Sequence, residues 1–342
     1  MRIALDATYS VGENLSGVGV YSRQILFGLA SAHPEARFLL CYRPHRFLRS
    51  LVQRLPANCS RRLLFETHAP RPAVLFHGLN QRLPRVRFRR VVSTFHDLFV
   101  LTGDYSSAEF RRRFAELART AAERSDLIIA VSEFTASQVR DLLGVEPSRI
   151  RVVPHGVLPH AGPDLPRERL ILHVGAIQRR KNIARLVEAF EQVAAEWRLV
   201  LAGSLGFGAE EILRRIDESP RRENIQVLGY VPGRQLARLY ARASVFAFPS
   251  LDEGFGMPVL EAMAAGVPVL TSNRPALAEV SGDAAFLVDP ADGAAIAAAL
   301  GRLTTDDALR RDLIGRGLKR AANFTWERAA AKTWAVYREL VA

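Results

Sequence analysis

The stretch FPSLDEGFGMPVLEAMAAGVP, Phe248 to Pro268, decides how the rest of the chain is read. An apolar, β-rich run from Ser244 to Phe248 is stopped by Pro249-Ser250, and a loop carrying Asp252 and Glu253 follows. Gly254-Phe255-Gly256 lead into a helix opening at Met257-Pro258, because proline favours a first-turn position whose N–H has no intrahelical partner. The N–H groups of a helix start form a site for an anion or for sugar hydroxyls. Glu261 projects from the same helix, eight residues after Glu253. One strand–loop–helix element therefore offers two carboxylates, a glycine hinge and a positive helix end. A tight strand-to-helix turn in any α/β protein has the same outline, so the flanking sequence has to decide.

Outward from this stretch, short Val/Ile/Leu runs alternate with amphipathic segments, the pattern of buried parallel strands joined by crossover helices. Strands are predicted at Ile3–Ala7, Phe38–Tyr42, Ala73–Phe76, Val91–Phe95, Leu127–Val131 and Ile150–Val153. A second set follows at Leu170–Val174, Arg198–Ala202, Ile225–Leu228, Val245–Phe248, Pro268–Thr271 and Ala285–Val288. Between the sets, His155–Arg169 (HGVLPHAGPDLPRER) has no periodicity and reads as an interdomain linker. The expected fold class is α/β, with two doubly wound domains at 1–158 and 159–323. Thr325 is the expected N-cap of a last helix.

The chain has 342 residues, enough for two cores, and 49% hydrophobic with 24% charged residues excludes a disordered or membrane-spanning class. No apolar run reaches 18 residues. The first residues read as a strand interrupted by Asp6, not as a signal peptide. Two cysteines, Cys41 and Cys59, imply neither a disulfide framework nor a cysteine metal site, and the expected compartment is the cytosol. The net charge of +12 fits nucleic acid, an anionic membrane face or a polyanionic small molecule as partner.

Ligands of doubly wound sheets bind at the carboxyl ends of the strands, so residues just after strands carry the chemistry. After the first strand, Gly17 and Gly19 sit at a helix entry where bare backbone can approach a phosphate or sugar. A dinucleotide fingerprint is rejected: its third glycine position is Ser22, the loop is too long, and no acid closes the next strand. After Val91–Phe95 comes His96-Asp97, placed to meet a ligand or to form a structural pair. After Leu170–Val174, Gly175 to Asn182 puts Arg179, Arg180 and Lys181 before a helix, against the macrodipole, where acids are preferred. A phosphate-bearing ligand would satisfy both the cations and the helix amides. After Ile225–Leu228, Gly229-Tyr230-Val231-Pro232-Gly233 is a short loop suited to a base edge or to a plain turn.

Taken together these residues resemble the retaining, two-Rossmann-domain (GT-B) glycosyltransferases of the group 1, or family 4, class. The resemblance spans nearly the whole chain. Its most specific motif is EGFGMPVLE, Glu253–Glu261, the E-x₇-E signature. SGVGVYS near the start, FHDL at Phe95–Leu98, DLIIAVSEFTA at Asp126–Ala136, VVPHGV at Val152–Val157, GAIQRRKN at Gly175–Asn182 and NFTWERAA near the end support it. It implies two Rossmann-like domains facing across a cleft, with the helix at 324–342 joined to the first. Glu253 would lie against the donor sugar, and Glu261 would hold the nucleotide ribose. Backbone amides of Gly254, Phe255, Gly256, Met257, Val259 and Leu260 would bind sugar hydroxyls and phosphate. Lys181 and Arg180 would neutralise the leaving diphosphate beside Gly175, with Gly17 or Gly19 approaching from the other domain. His96 would face the sugar, and Tyr230 and Val231, of the loop suited to a base edge, are the remaining expected donor contacts. One departure stands out: many members carry Arg directly after the loop glycine, where this chain has Ala176. The GAIQRRKN form is similar to a subset containing bacterial O-antigen-type mannosyltransferases, in which the Arg-Lys pair would take over.

The implied reaction moves a hexose, mannose favoured, from a nucleotide-diphosphate sugar to a glycan or polyprenyl-linked acceptor in polysaccharide or lipopolysaccharide synthesis. GDP-mannose is the first expected donor and a UDP-hexose the second. No D-x-D occurs, so no metal is expected, and no cofactor. Two other classes compete. A glycoside hydrolase would use Glu253 and Glu261 as its carboxylates, leaving the Lys181 loop without a role. A nucleic-acid-binding protein would explain the charge, but the arginines are scattered and no such motif accompanies them. The segment Arg43–Leu55 (RPHRFLRSLVQRL) is an expected amphipathic helix with Phe47, Leu48, Leu51, Val52 and Leu55 on one face and Arg46, Arg49, Gln53 and Arg54 on the other. It suits peripheral contact with an anionic membrane, or packing on the first sheet.

Overall fold

Two all-parallel sheets organise the chain, and each repeats the same winding. The computed structural model describes residues 1–67, 73–159, 162–163 and 165–341; His160, Ala161 and Asp164 of the expected linker and Ala342 of the expected last helix lie outside the described residues. The first sheet contains β1 (Arg2–Asp6), β2 (Arg37–Tyr42), β3 (Cys59–Leu63), β4 (Leu75–Gly78), β5 (Val91–Phe95), β6 (Leu127–Ala130) and β7 (Ile150–Val152). Their order is β3-β2-β1-β4-β5-β6-β7. The second contains β8 (Glu168–Val174), β9 (Arg198–Ala202), β10 (Ile225–Gly229), β11 (Ala243–Phe248), β12 (Val269–Ser272) and β13 (Phe286–Val288), in the order β10-β9-β8-β11-β12-β13. Both sheets are doubly wound, reversing direction between their first and fourth strands, and such a reversal is where ligands bind in open α/β sheets.

The chain divides into two compact units. One comprises Met1–Thr102, Ala108–Gly156 and Thr325–Ala342, the other Gly103–Ser107 and Val157–Phe324. Each has its own apolar core. Phe76, Phe95, Ile128 and Ala118 belong to that of the first unit, and Ile171, Leu199, Val245, Phe190 and Leu300 to that of the second. Strands with helices on both faces bury nearly every side chain, which is why LIIA of β6 and most of β11 read as unbroken apolar runs, while VVSTF of β5 buries Ser93 and Thr94 as well.

Two elements depart from the sequence reading. β3, with the sequence CSRRL, was not anticipated; it is an edge strand, half exposed, with three successive polar residues. The expected helix Arg43–Leu55 is shorter, Pro44–Ser50, and Leu51 and Val52 lie in the turn that follows. The cause is local: Arg61 of β3 donates to the carbonyls of Ser50 and Gln53, capturing acceptors that a longer helix would use. Leu48, Leu51 and Val52 are 76%, 55% and 89% exposed, so these side chains do not pack on the sheet.

The last helix, Trp326–Val341, belongs to the first unit, with Thr325 accepting from the Arg328 amide. Ala330 meets Gly28 of the helix Gly17–Ala32, where an added Cβ would lie 3.1 Å from the Ala330 Cβ. Its Tyr337 hydroxyl lies 2.6 Å from His77 Nδ1 in the buried interior, and His77 Nε2 lies 2.8 Å from Thr94 Oγ1.

Candidate active site

The loops after β8 and β11 leave the second sheet at its reversal point, and their side chains interlock. After β8, Arg179–Lys181 form a tight turn that ends at Asn182, whose positive φ of 59° reverses the chain into the helix Ile183–Phe190. Asn182 Nδ2 donates to the carbonyls of Pro249 (3.1 Å) and Pro290 (2.7 Å), tying this turn to the end of β11. The Leu251 amide and Ser250 hydroxyl donate back to the Arg180 carbonyl at 2.8 and 3.1 Å. Gly175 and Gly203 touch so closely that a Cβ on Gly203 would fall 1.8 Å from the Gly175 carbonyl oxygen, so no larger residue fits.

Arg180, Lys181 and Glu253 meet here, each under 9% exposed. Lys181 Nζ donates to Glu253 Oε1, Arg180 Nη1 pairs with Oε2 at 2.8 Å, and Ser250 Oγ donates to Oε1 at 2.7 Å. Arg180 also donates to the Asp252 carbonyl, and the Lys181 ammonium lies 4.6 Å from the Phe248 ring centroid. Burial by itself would raise the Glu253 carboxyl, but the charges of Arg180 and Lys181, with hydrogen bonds from Lys181 and Ser250, outweigh it and hold it at about 2. Glu253 is therefore an anion at every working pH and has no proton to give. The cation-rich turn that called for an anion finds one within the chain. Arg179 is separate from this group: it is exposed and pairs with Glu211 at 2.9 Å.

Glu261 stands in a different field. It is half-buried on the helix Met257–Ala264, and among the described residues no cation pairs with it. Its Oε2 accepts from the Tyr240 hydroxyl at 2.9 Å. Burial raises its carboxyl above the ordinary range, and the Tyr240 hydrogen bond offsets part of that rise. The helix has no side-chain cap at its start. Gly256 has φ 107°, a backbone conformation that L side chains rarely adopt, and a Cβ there would also press on Leu277 Cδ2 at 2.5 Å. Of the amides expected to bind ligand, that of Val259 already donates to the Gly256 carbonyl at 3.0 Å. The side chains of Phe255, Val259 and Leu260 are core, so any ligand contact they make is through backbone. Tyr230 is 40% exposed and lines a surface cavity with Val231, Gln235 and Arg238.

In the first unit, Gly17 opens the helix Gly17–Ala32, capped by Ser16, which accepts from the Gly19 amide. A Cβ on Gly19 would fall 2.8 Å from the Tyr9 carbonyl oxygen, so close packing alone requires that glycine. His96 is held on both sides: Nε2 lies 2.9 Å from the Leu79 carbonyl, to which it donates, and Nδ1 lies 3.4 Å from His155 Nε2. The Tyr21 ring meets its edge at 4.7 Å. Burial, partly opposed by the Leu79 hydrogen bond, lowers the ring to about 4, so His96 is neutral near pH 7. It is positioned for hydrogen bonding and shape rather than for proton transfer.

The sequence reading passed over Ser250, Tyr240, His155 and His173. Ser250 and His155 follow strand ends within motifs already quoted, and that position was the available signal. His173 is a strand residue facing inward: Nδ1 donates to the Ala247 carbonyl at 2.9 Å and its ring stacks on Phe248. Nothing in the sequence separates it from an ordinary core position.

Known proteins share these features. A model described as Glycosyltransferase Family 4 matches residues 17–160, and one described as Glycosyl transferases group 1 matches residues 162–320. The O-antigen chain mannosyltransferase B of Escherichia coli is 32% identical over 98% of this chain and 99% of its own. The chain is a family 4, group 1 glycosyltransferase. Sucrose-phosphate synthase from Thermosynechococcus elongatus shares the fold with a TM-score of 0.81 at 23% identity, over 100% of this chain and 99% of that one. WaaG, a glycosyltransferase of lipopolysaccharide biosynthesis, does so with a TM-score of 0.74 at 16% identity, over 97% and 98%. This family 4 chain thus has the GT-B fold and takes a nucleotide-sugar donor, and among its described residues no helix is long and apolar enough to cross a membrane.

Proposed function

We propose that this glycosyltransferase moves mannose, with retention of anomeric configuration, from GDP-mannose to a glycan or polyprenyl-linked acceptor in polysaccharide or lipopolysaccharide-type synthesis. The observation that carries the reading is the Arg180–Glu253–Lys181 cluster at the reversal point of the second sheet. A buried cation pair there suits a leaving nucleoside diphosphate, whose oxygens gain charge as the glycosidic bond breaks. Groups already fixed in place stabilise that charge more in the transition state than in the ground state. Glu253, ionised throughout, lies against the developing oxocarbenium of the sugar. The leaving diphosphate accepts the acceptor's proton on the same face, so retention needs no second carboxylate.

Mannose is supported by the likeness to the O-antigen mannosyltransferase, and a UDP-hexose is the second donor. The hydrolase alternative is disfavoured by Glu253 itself: a carboxylate held at about 2 with both oxygens engaged is neither the acid nor a free nucleophile. Peripheral membrane contact fits the exposed Leu48, Leu51 and Val52 beside Arg46, Arg49 and Arg54. A panel of nucleotide sugars scored by thermal shift and by slow hydrolysis tests the donor, since a ligand of the folded state alone raises the melting temperature. GDP-mannose should give the largest shift. Sugar release from an unactivated glycoside, with no nucleotide sugar shifting the melt, would overturn the reading.

A further inference from the structure

We propose that Tyr240 is the positioning residue for Glu261, and that through it the site demands a nucleotide whose ribose carries its 2′,3′-diol. The inference rests on the assignment of Glu261 to the ribose.

The two glutamates of the signature make a physical contrast. Glu253 has both oxygens occupied and two cations beside it. Glu261 has one protein donor, a neutral phenol, and no cation among the described residues. A carboxylate offers about four acceptor positions, so a single phenol leaves room for further O–H donors. A carboxylate without a cation repels phosphate and favours neutral hydroxyls, and a vicinal diol presents two of them side by side. The ligand chemistry that fits Glu261 is therefore a diol.

Tyr240 belongs to the helix Gly233–Arg242, a different element from the one carrying Glu261, and is 3% exposed. Its ring packs 5.8 Å from Phe246 of β11, which fixes the hydroxyl against the sheet. Burial and the adjacent Glu261 carboxylate both push the phenol well above its ordinary range, so it remains a donor at any working pH. A glutamate side chain held by one hydrogen bond has few restraints on its rotamer, and loss of that bond lets the carboxylate leave the geometry a diol requires. A site built to bond a hydroxyl penalises the analogue lacking it, because its buried acceptor then stays unpaired. That penalty disappears when the acceptor is no longer held in place.

The experiment is calorimetric titration of wild type, Tyr240→Phe, Glu261→Gln and the double variant with GDP and UDP and with their 2′,3′-dideoxy counterparts. Wild type should prefer the ribonucleotide by ~100-fold. Tyr240→Phe should lose ~10-fold in ribonucleotide affinity and under ~2-fold for the dideoxy form, so the preference collapses to ~10-fold. In the Glu261→Gln background, Tyr240→Phe should change nothing further, which a purely structural role of the phenol would not produce. The phenyl ring is retained, and an unchanged melting temperature confirms the fold. If wild type binds neither ribonucleotide, or binds ribo and dideoxy forms equally, the ribose assignment and this inference fall together. If wild type discriminates and Tyr240→Phe discriminates equally, only the role of Tyr240 falls.

Discussion

Replacing Glu253 with glutamine keeps the side-chain shape and removes the charge that neutralises Arg180 and Lys181. Two cations, each 7% exposed, are then left beside a neutral amide. Removing one partner of a buried ion pair typically costs about 3–5 kcal/mol, because the remaining charge stays desolvated. The ionisation of Glu253 gives a consistent figure: a carboxyl held at about 2 instead of 4.5 stabilises the fold by roughly 3 kcal/mol at neutral pH. For a unit of about 170 residues, about 3 kcal/mol corresponds to a fall in melting temperature of roughly 6–12 °C. The folded-state value is depressed, so this stabilisation is complete above the ordinary carboxylate range and is lost as pH drops from 4.5 toward about 2. The gap between wild type and Glu253→Gln should therefore narrow across that window. A nucleoside diphosphate brings its own anion to the same cations, so it should raise the melting temperature of the variant more than that of wild type. Turnover should meanwhile fall severely. Scanning calorimetry with and without GDP, at pH 7 and pH 3.5, reads all of this from the transition that the nucleotide shifts. An unchanged melting temperature at pH 7, or a gap that persists on acidification, would refute the neutralisation argument.

Two further outcomes follow from the same geometry. Lys181→Met keeps the stem over the Phe248 ring and removes the ammonium, so kcat should fall by ~10²–10³ with a smaller change in donor KM; steady-state kinetics that leave kcat intact would take Lys181 away from the leaving group. Leu48→Glu combined with Val52→Glu changes two exposed side chains of the basic corner, and should abolish co-sedimentation with phosphatidylglycerol vesicles at low salt while leaving the melting temperature unchanged. No sedimentation of wild type under those conditions would sink the membrane reading.

The strands legible in the sequence were those carrying a largely apolar run, whether central or, like Ile225–Gly229 and Phe286–Val288, at a sheet edge. Val91–Phe95 and Arg198–Ala202 appear at the expected residues, because a parallel strand between two neighbours is mostly apolar even where, as at Ser93 and Thr94, it buries small polar side chains. β3 escaped notice because CSRRL has no apolar run, and its Arg61 serves the end of the preceding helix. The helix Pro44–Ser50 was overextended because an amphipathic period runs on past residues whose carbonyls Arg61 takes. In the site, positions after strand ends were readable and partners were not. The turn Arg179–Lys181 announced an anion, yet the choice of Arg180 and Lys181 over Arg179 depends on which side chains face the end of β11. That is set by Asn182 bonding to Pro249 and Pro290, far away in sequence.

The signature Glu253–Glu261 also shows why two carboxylates at fixed spacing do not define a mechanism. A pair whose environments pull the two groups in opposite directions is usually read as an acid and a base. Here the downward-shifted member is compensated by three donors, two of them cations, so it cannot act as a free base or nucleophile. The upward-shifted member is fixed by a phenol that has no further proton to relay at working pH. The split in this case comes from what each carboxylate faces: Glu253 the cations of the turn after β8, Glu261 the phenol of a neighbouring helix. Those surroundings sort one acid toward charge and the other toward neutral hydroxyls, a division suited to a ligand whose charged diphosphate lies between a reacting sugar and a ribose.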